Sequence, residues 1–268
     1  MAGYAEKWQS ALTWRPALPR ILFVEAGLEL AAQGGIVATF SALGFVPLSW
    51  RGLSVAALSY ALVTLIVVFG LSLHAPHRHF GIANAVTLLR AGFNALLLAV
   101  AGELLLGGTF ALNDPTRWWL TGAAATALAL DGVDGWAARR SRMASAFGAR
   151  FDMETDALFI LGLALLLAAA GIVGPWVLAS GLIYYLFRVA AWMWPWLNMP
   201  LFPSLRRKTV CVAQVAFLIL ALVPALPVWG ARLSCMTGLA LLIYSFTVDI
   251  VWLYARARSN GTLHISSA

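Results

Sequence analysis

Polar residues in this chain fall in short clusters, and long apolar runs separate them. Eight such runs lie near 21–47, 53–73, 84–106, 117–138, 149–171, 174–194, 209–227 and 234–254. Crossing a hydrocarbon core of about 30 Å takes about 20 helical residues, and each run meets or approaches that length. Lipid offers no partner to an unpaired peptide group, so every run is predicted to be an α-helix. Glycine and proline break the pattern at Gly107–Gly108, Gly171–Gly174, Pro195–Pro203 and Pro224–Pro227. The first run carries Glu25 and Glu29 on one face and ends in Pro47.

Composition narrows the class. Of 268 residues, 62% are hydrophobic and 11% charged, and mean hydropathy is +0.85. Soluble domains carry about a quarter charged residues. A water-soluble globule, a disordered chain, a collagen and a secreted disulfide scaffold are all excluded. The expectation is an all-α integral membrane protein of about eight transmembrane helices.

The net charge of +7 does not point to nucleic acid, because the basic residues form no single stripe. With both termini on one side, fourteen of the eighteen Lys and Arg fall on that side. Only Arg51, Arg117 and Arg232 fall on the other, and Arg188 lies inside a span. Positive charge collects on the cytoplasmic side. Both termini are therefore expected there, in a multi-pass protein of a cell membrane, the bacterial inner membrane first. The first apolar run is too long for a signal-peptide core and reads as a retained anchor. Trp50, Trp118, Trp119, Trp176, Trp194 and Trp229 sit at span ends, as an interfacial aromatic belt requires. Cys211 and Cys235 fall near opposite membrane faces, so no disulfide is expected.

The carboxylates carry the chemistry. Eleven Asp and Glu occur, and five of them lie within residues 131–156: Asp131, Asp134, Asp152, Glu154 and Asp156. Two carboxylates ~6 Å apart repel by roughly 3 kcal/mol at an effective dielectric of about 20. Something must cancel that charge, and divalent cations do so while supplying chemistry. Asp131 and Asp134 are i, i+3 at the end of the fourth span, and Asp152 and Asp156 are i, i+4 at the start of the fifth. The two ends meet on one side of the membrane. Gly148 lies one turn before Asp152 and leaves room for a ligand or a close helix, as Gly135 and Ala138 do on the facing helix. Arg139 adds a cation suited to phosphate. This is equipment for holding a diphosphate through two hard cations.

Written as a pattern, the stretch is Asp131-x2-Asp134-Gly135-x2-Ala138-Arg139-x8-Gly148-x3-Asp152-x3-Asp156. It resembles, without a departure, the signature of the CDP-alcohol phosphotransferases. The likeness extends outward, to Asn84-x2-Thr87-x2-Arg90 at the start of the third span. Lys208-Thr209 and Gln214 in the seventh are similar to a segment of the phosphatidylglycerophosphate synthase branch. The stretch departs from that branch at Met153 and Ala157, where Pro and Lys are usual, and lacks the Ser-Leu form of phosphatidylserine synthases.

The resemblance implies a six-helix catalytic core over residues 81–256, preceded by an accessory segment of two helices (1–80) and followed by a short tail (257–268). It implies that Asp131, Asp134, Asp152 and Asp156 ligate two divalent ions, Mg2+ or Mn2+. Gly135, Ala138, Arg139 and Gly148 would line the cytidine diphosphate pocket, together with Asn84 and Thr87. Asp156 would be the general base. The donor would be a CDP-linked lipid such as CDP-diacylglycerol, and the acceptor a small alcohol. A homodimer is also implied.

Other charged residues read two ways. Arg206, Arg207 and Lys208 serve equally as topology charge or as capture of a phosphorylated acceptor, glycerol 3-phosphate or an inositol phosphate. Arg188, within a span, calls for a partner or for snorkelling, and Asp249 is the candidate partner. His74, His77 and His79 read as a metal cluster or as a polar interfacial loop, and the loop is favoured because no thiolate or carboxylate shares it. Glu25 and Glu29 read as interfacial, and Gly34–Gly35 as helix packing or local flexibility. Two rival activities remain: prenyl transfer from a prenyl diphosphate, and cation-coupled transport.

Overall fold

The computed structural model describes residues 20–74, 77, 79–108, 112–141, 145–202 and 204–259, with the side chains of 20, 72, 73 and 133–141 outside the description. Among the described residues there are eight long helices and no strand. They are α1 (Arg20–Ala42), α2 (Trp50–Gly70), α3 (Ile82–Leu105), α4 (Asp114–Ser141), α5 (Ala146–Ala169), α6 (Ala179–Met193), α7 (Leu205–Leu222) and α8 (Val228–Ser259). The protein is thus an all-α integral membrane protein, as its pattern predicts.

Five helices (α1, α2, α3, α6 with the turn before it, and α8) are long and apolar enough to cross a membrane by length and composition alone. The other three, α4, α5 and α7, carry the clustered charges of the candidate site, which lowers their hydropathy.

Boundaries differ from expectation where local chemistry intervenes. α1 stops at Ala42, five residues before Pro47, because Gly44 takes φ +74° and turns the chain. α4 starts at Asp114 because the Asn113 side chain accepts from the Thr116 amide at 3.0 Å, a helix cap. α8 continues to Ser259, and Arg256 and Arg258 in its last turn complement the helix dipole.

The central helix is α3, which packs against α1, α2, α4 and α5. Leu96, Leu97, Ala99 and Val100 on α3 interlock with Leu163, Ala164, Leu166 and Leu167 on α5 and with Leu120 and Ala124 on α4. α7 and α8 form a pair, and α7 closes against α4 and α5. The outer faces leave bulky apolar groups bare, Trp192 at 83% and Phe69 at 73% exposure among them. Water would not tolerate so much uncovered apolar surface, whereas lipid does.

Cross-helix contacts fix which ends share a side. Glu25 near the start of α1 meets Phe80 before α3. Arg90 near the start of α3 meets Asp131 late in α4 and Asp152 early in α5. Arg206 at the start of α7 meets Asp249 late in α8. On the opposite side, Glu103 at the end of α3 accepts from Ser49 and Gly52 at the start of α2, and Arg117 on α4 donates to Leu222 and Val223 at the end of α7. The chain therefore alternates, with the carboxylate cluster and most basic residues at one end of the bundle.

Candidate functional site

The site forms where α3, α4 and α5 converge. One carboxylate oxygen from each of Asp131, Asp152 and Asp156 can be chosen so that all three lie within 4.8 Å of one another. Ser145 caps α5, its hydroxyl accepting from the Gly148 amide at 3.0 Å, and so starts the helix where Asp152 and Asp156 fall on one face. Asp134, Gly135, Ala138 and Arg139 lie on α4 in the same stretch, with side chains outside the described residues.

A group that spacing left among the topology charges sits at the centre. Arg90 is 3% exposed, and its guanidinium lies 3.0 Å from Asp131 and 2.9 Å from Asp152 and also pairs with Asp156. A cation supplied by the chain thus cancels part of the repulsion that appeared to require bound ions. The signal was available: Asn84, Thr87 and Arg90 recur every third residue and share one face of α3. One guanidinium against three carboxylates still leaves two formal negative charges. Oxygen donors with a net negative charge at this spacing fit a hard divalent cation.

Asn84 and Thr87 are both buried. The Asn84 amide donates to the Phe80 carbonyl at 2.5 Å, and the Thr87 hydroxyl donates to Ala83 at 3.0 Å. A Cβ on Gly148 would stand 2.8 Å from the Asn84 Oδ1, so α5 approaches α3 there only because residue 148 has no side chain.

Beside the carboxylates a cavity of about 430 Å3 opens between α5, α6, α7 and α8. Asp156, Tyr184, Arg207, Cys211 and Asp249 line it, among mostly apolar neighbours such as Phe187 and Phe246. Asp249 accepts from Arg206 at 2.5 Å and from Arg207 at 3.3 Å. The expected pairing of Asp249 with Arg188 is therefore corrected: the α7 arginines take that carboxylate, and Arg188 is exposed on α6. Lys208 is exposed and lines no part of the cavity.

The histidine segment is divided, one ring turned inward and the others toward its open side. His74 is wholly buried, whereas His79 is exposed and pairs with Glu25 at 2.8 Å. Gly34 lies against Tyr60, whereas nothing approaches Gly35.

Residues 80–249 match the sequence profile described as CDP-alcohol phosphatidyltransferase. The chain belongs to the CDP-alcohol phosphatidyltransferase family. It is accordingly a membrane-embedded transferase that moves a phosphate-linked group from a CDP-alcohol. The match begins at the junction before α3 and ends late in α8, so it takes in every carboxylate and arginine of the site just described, while α1 and α2 lie outside it. Membership decides in favour of phosphotransfer over prenyl transfer and transport. The chain has no significant match among curated proteins or among solved structures.

Proposed function

We propose that this phosphatidyltransferase moves the phosphatidyl group of a CDP-linked lipid, CDP-diacylglycerol first, to a small alcohol and releases CMP at the cytoplasmic face. The observation that carries the reading is the convergence of Asp131, Asp152 and Asp156 around one buried end of α3. The acyl chains stay in lipid while the headgroup meets a soluble alcohol. The distribution of basic residues supports the cytoplasmic assignment.

Asp131, Asp134, Asp152 and Asp156 would hold two divalent ions, Mg2+ or Mn2+. When bound, such ions neutralise charge on a diphosphate and make its phosphorus a better electrophile. The chain's own groups do the rest. Asp156 faces both the carboxylate cluster and the cavity. It accepts the proton of the acceptor hydroxyl as that oxygen bonds to the lipid-bearing phosphorus. The bond from that phosphorus to the CMP oxygen breaks, and CMP departs with the electron pair. Gly135, Ala138, Arg139 and Gly148, with Asn84 and Thr87, would line the nucleotide pocket.

The cavity beside Asp156 is the acceptor's entry in this reading. Arg206 and Arg207 share one carboxylate, which leaves one formal positive charge beside the cavity. That charge, held in place by Asp249, favours a phosphorylated acceptor, glycerol 3-phosphate or an inositol phosphate. Arg188 and Lys208 stand further out. The accessory pair of helices and the six-helix core are proposed as the two parts of the chain, and a homodimer as its assembly.

The deciding experiment supplies purified protein with CDP-diacylglycerol, Mg2+ or Mn2+ and a panel of alcohols, and identifies the lipid by mass spectrometry. CMP release with one phosphorylated alcohol is expected. No CMP release with any acceptor overturns the reading.

A further inference from the structure

A hydrogen-bond chain joins α1 to the first turn of α5 through the segment that precedes the family match. Glu25 on α1 accepts from His79 Nδ1 at 2.8 Å and from the Phe80 amide at 2.7 Å. The His79 carbonyl lies 2.8 Å from His74 Nε2, and His74 Nδ1 lies 2.8 Å from the Ser145 hydroxyl. That hydroxyl is the cap of α5, accepting from Gly148.

In the neutral ring these contacts fix the tautomer of His74. A carbonyl only accepts, so Nε2 of His74 carries the hydrogen and Nδ1 is the acceptor. The Ser145 hydroxyl therefore donates to Nδ1, and its lone pair faces the Gly148 amide. Its rotor is locked, and one of the orphan amides of the α5 N-terminus is satisfied in a single geometry. Packing holds the same turn. The Phe147 ring lies edge-on to His74 at 5.8 Å and seats on Gly70, where a Cβ would come within 2.5 Å of it. Gly148 meets Asn84, and Asp152 and Asp156 follow one and two turns on.

We infer that His74 is a positioning residue for the transfer reaction: through Ser145 it sets the first turn of α5, and with it Gly148, Asp152 and Asp156. This gives the segment outside the family match a task, since His74 ends the turn directly after α2 and Glu25 of α1 holds His79, whose carbonyl meets the ring. The inference rests on the site reading above.

The test uses the full chain and the variants His74→Leu, His74→Gln, Ser145→Ala and the double His74→Leu/Ser145→Ala. Turnover is read as CMP release and site integrity as Mn2+ affinity by electron paramagnetic resonance. In His74→Leu, kcat should fall about tenfold or more with donor KM held within about threefold, because catalysis depends on sub-ångström placement. Glutamine carries a donor and an acceptor on one amide, so His74→Gln should recover most of the loss. The double variant should lose no more than the worse single, as expected for residues acting as one unit. Wild-type kcat in folded His74→Leu, or additive losses, overturns the inference. Should His74→Leu not fold, Ser145→Ala decides: a comparable kcat loss rescued by Ser145→Thr supports it, and unchanged kcat overturns it. A wild-type chain that releases no CMP defeats the functional reading alone. Positioning is then read from Mn2+ affinity, which should fall about tenfold in His74→Leu and return in His74→Gln, and unchanged affinity overturns it.

Discussion

The guanidinium of Arg90 stands 3.0 Å from a carboxylate oxygen of Asp131 and so ties α3 to α4 beside the start of α5. The same side chain reaches Asp152 and Asp156. Removing one partner of a buried pair costs about 3–5 kcal/mol, because the remaining charges are left uncompensated. Arg90→Met should therefore lower the melting temperature sharply in chelator. Mn2+ should raise it more in the variant than in wild type, since the carboxylates then lose the guanidinium that pairs with them. Thermal scanning in detergent with and without Mn2+ checks this, and an equal Mn2+ response in both proteins would contradict it.

Asp156 is the carboxylate that both belongs to the cluster and lines the cavity. Asp156→Asn keeps the size of the side chain and removes the base. Turnover should fall on the order of 10²–10⁴-fold, with the protein still folded in the membrane. Near wild-type CMP release from purified Asp156→Asn would show that another group takes the proton.

The fold was legible because a lipid-spanning helix needs only length and apolarity, and all eight runs became helices. The convergence of Asp131, Asp152 and Asp156 was legible because helical spacing sets them at two helix ends on one side of the bundle. Arg90 was legible only in part: its spacing from Asn84 and Thr87 marks one face of α3, but spacing does not say whether that face turns toward the carboxylates. Only the packing of α3 against α4 and α5 shows that it points inward. His74 was hidden for a related reason. Its partners are a cap 71 residues away and a carbonyl five residues on, and neither contact leaves a periodic trace. The pairing of Asp249 with α7 instead of Arg188 was likewise a matter of which helices are neighbours.

Glycines on α1, α5 and α6 separate site geometry from packing. A Cβ at Gly148 meets the Asn84 Oδ1 at 2.8 Å, and Asn84 is tethered to Phe80 and cannot easily retreat. Gly148→Ala should leave the fold largely intact and lower turnover about tenfold or more, by displacing α5 from α3 at the site. A Cβ at Gly181 meets the Leu161 backbone at 2.6 Å, so Gly181→Ala should cost about 1–3 kcal/mol of stability. Gly35→Ala, with open space around it, should do neither. Melting temperature and CMP release on the three variants give the comparison. A Gly148→Ala enzyme with unchanged turnover would remove the close approach from the mechanism.

Arg207 contacts Asp249 and faces the cavity shared with Asp156. If it binds the acceptor's phosphate, Arg207→Gln should raise KM for a phosphorylated acceptor about tenfold or more and change kcat little, the signature of lost ground-state binding. An unphosphorylated alcohol accepted by the enzyme should be unaffected. Equal losses for both acceptors would assign Arg207 to structure.

Acid should destabilise the junction before α3 through one ring. Burial holds the His74 imidazole below the ordinary histidine value of 6.5, against the opposing bond to the His79 carbonyl and with help from the nearby His77. The folded chain keeps the ring neutral where the unfolded chain already binds a proton. Stability from this group is therefore complete above pH 6.5 and declines as pH falls from there toward the lower folded value. His74→Gln carries no titrating ring, so its melting temperature should fall less between about pH 7 and pH 5 than that of wild type. Melting curves across that range decide it. Parallel curves for the two proteins would mean that His74 takes up its proton in the folded state as easily as in the unfolded one, and that the enclosure by Phe80, Phe147 and Ser145 does not exclude charge.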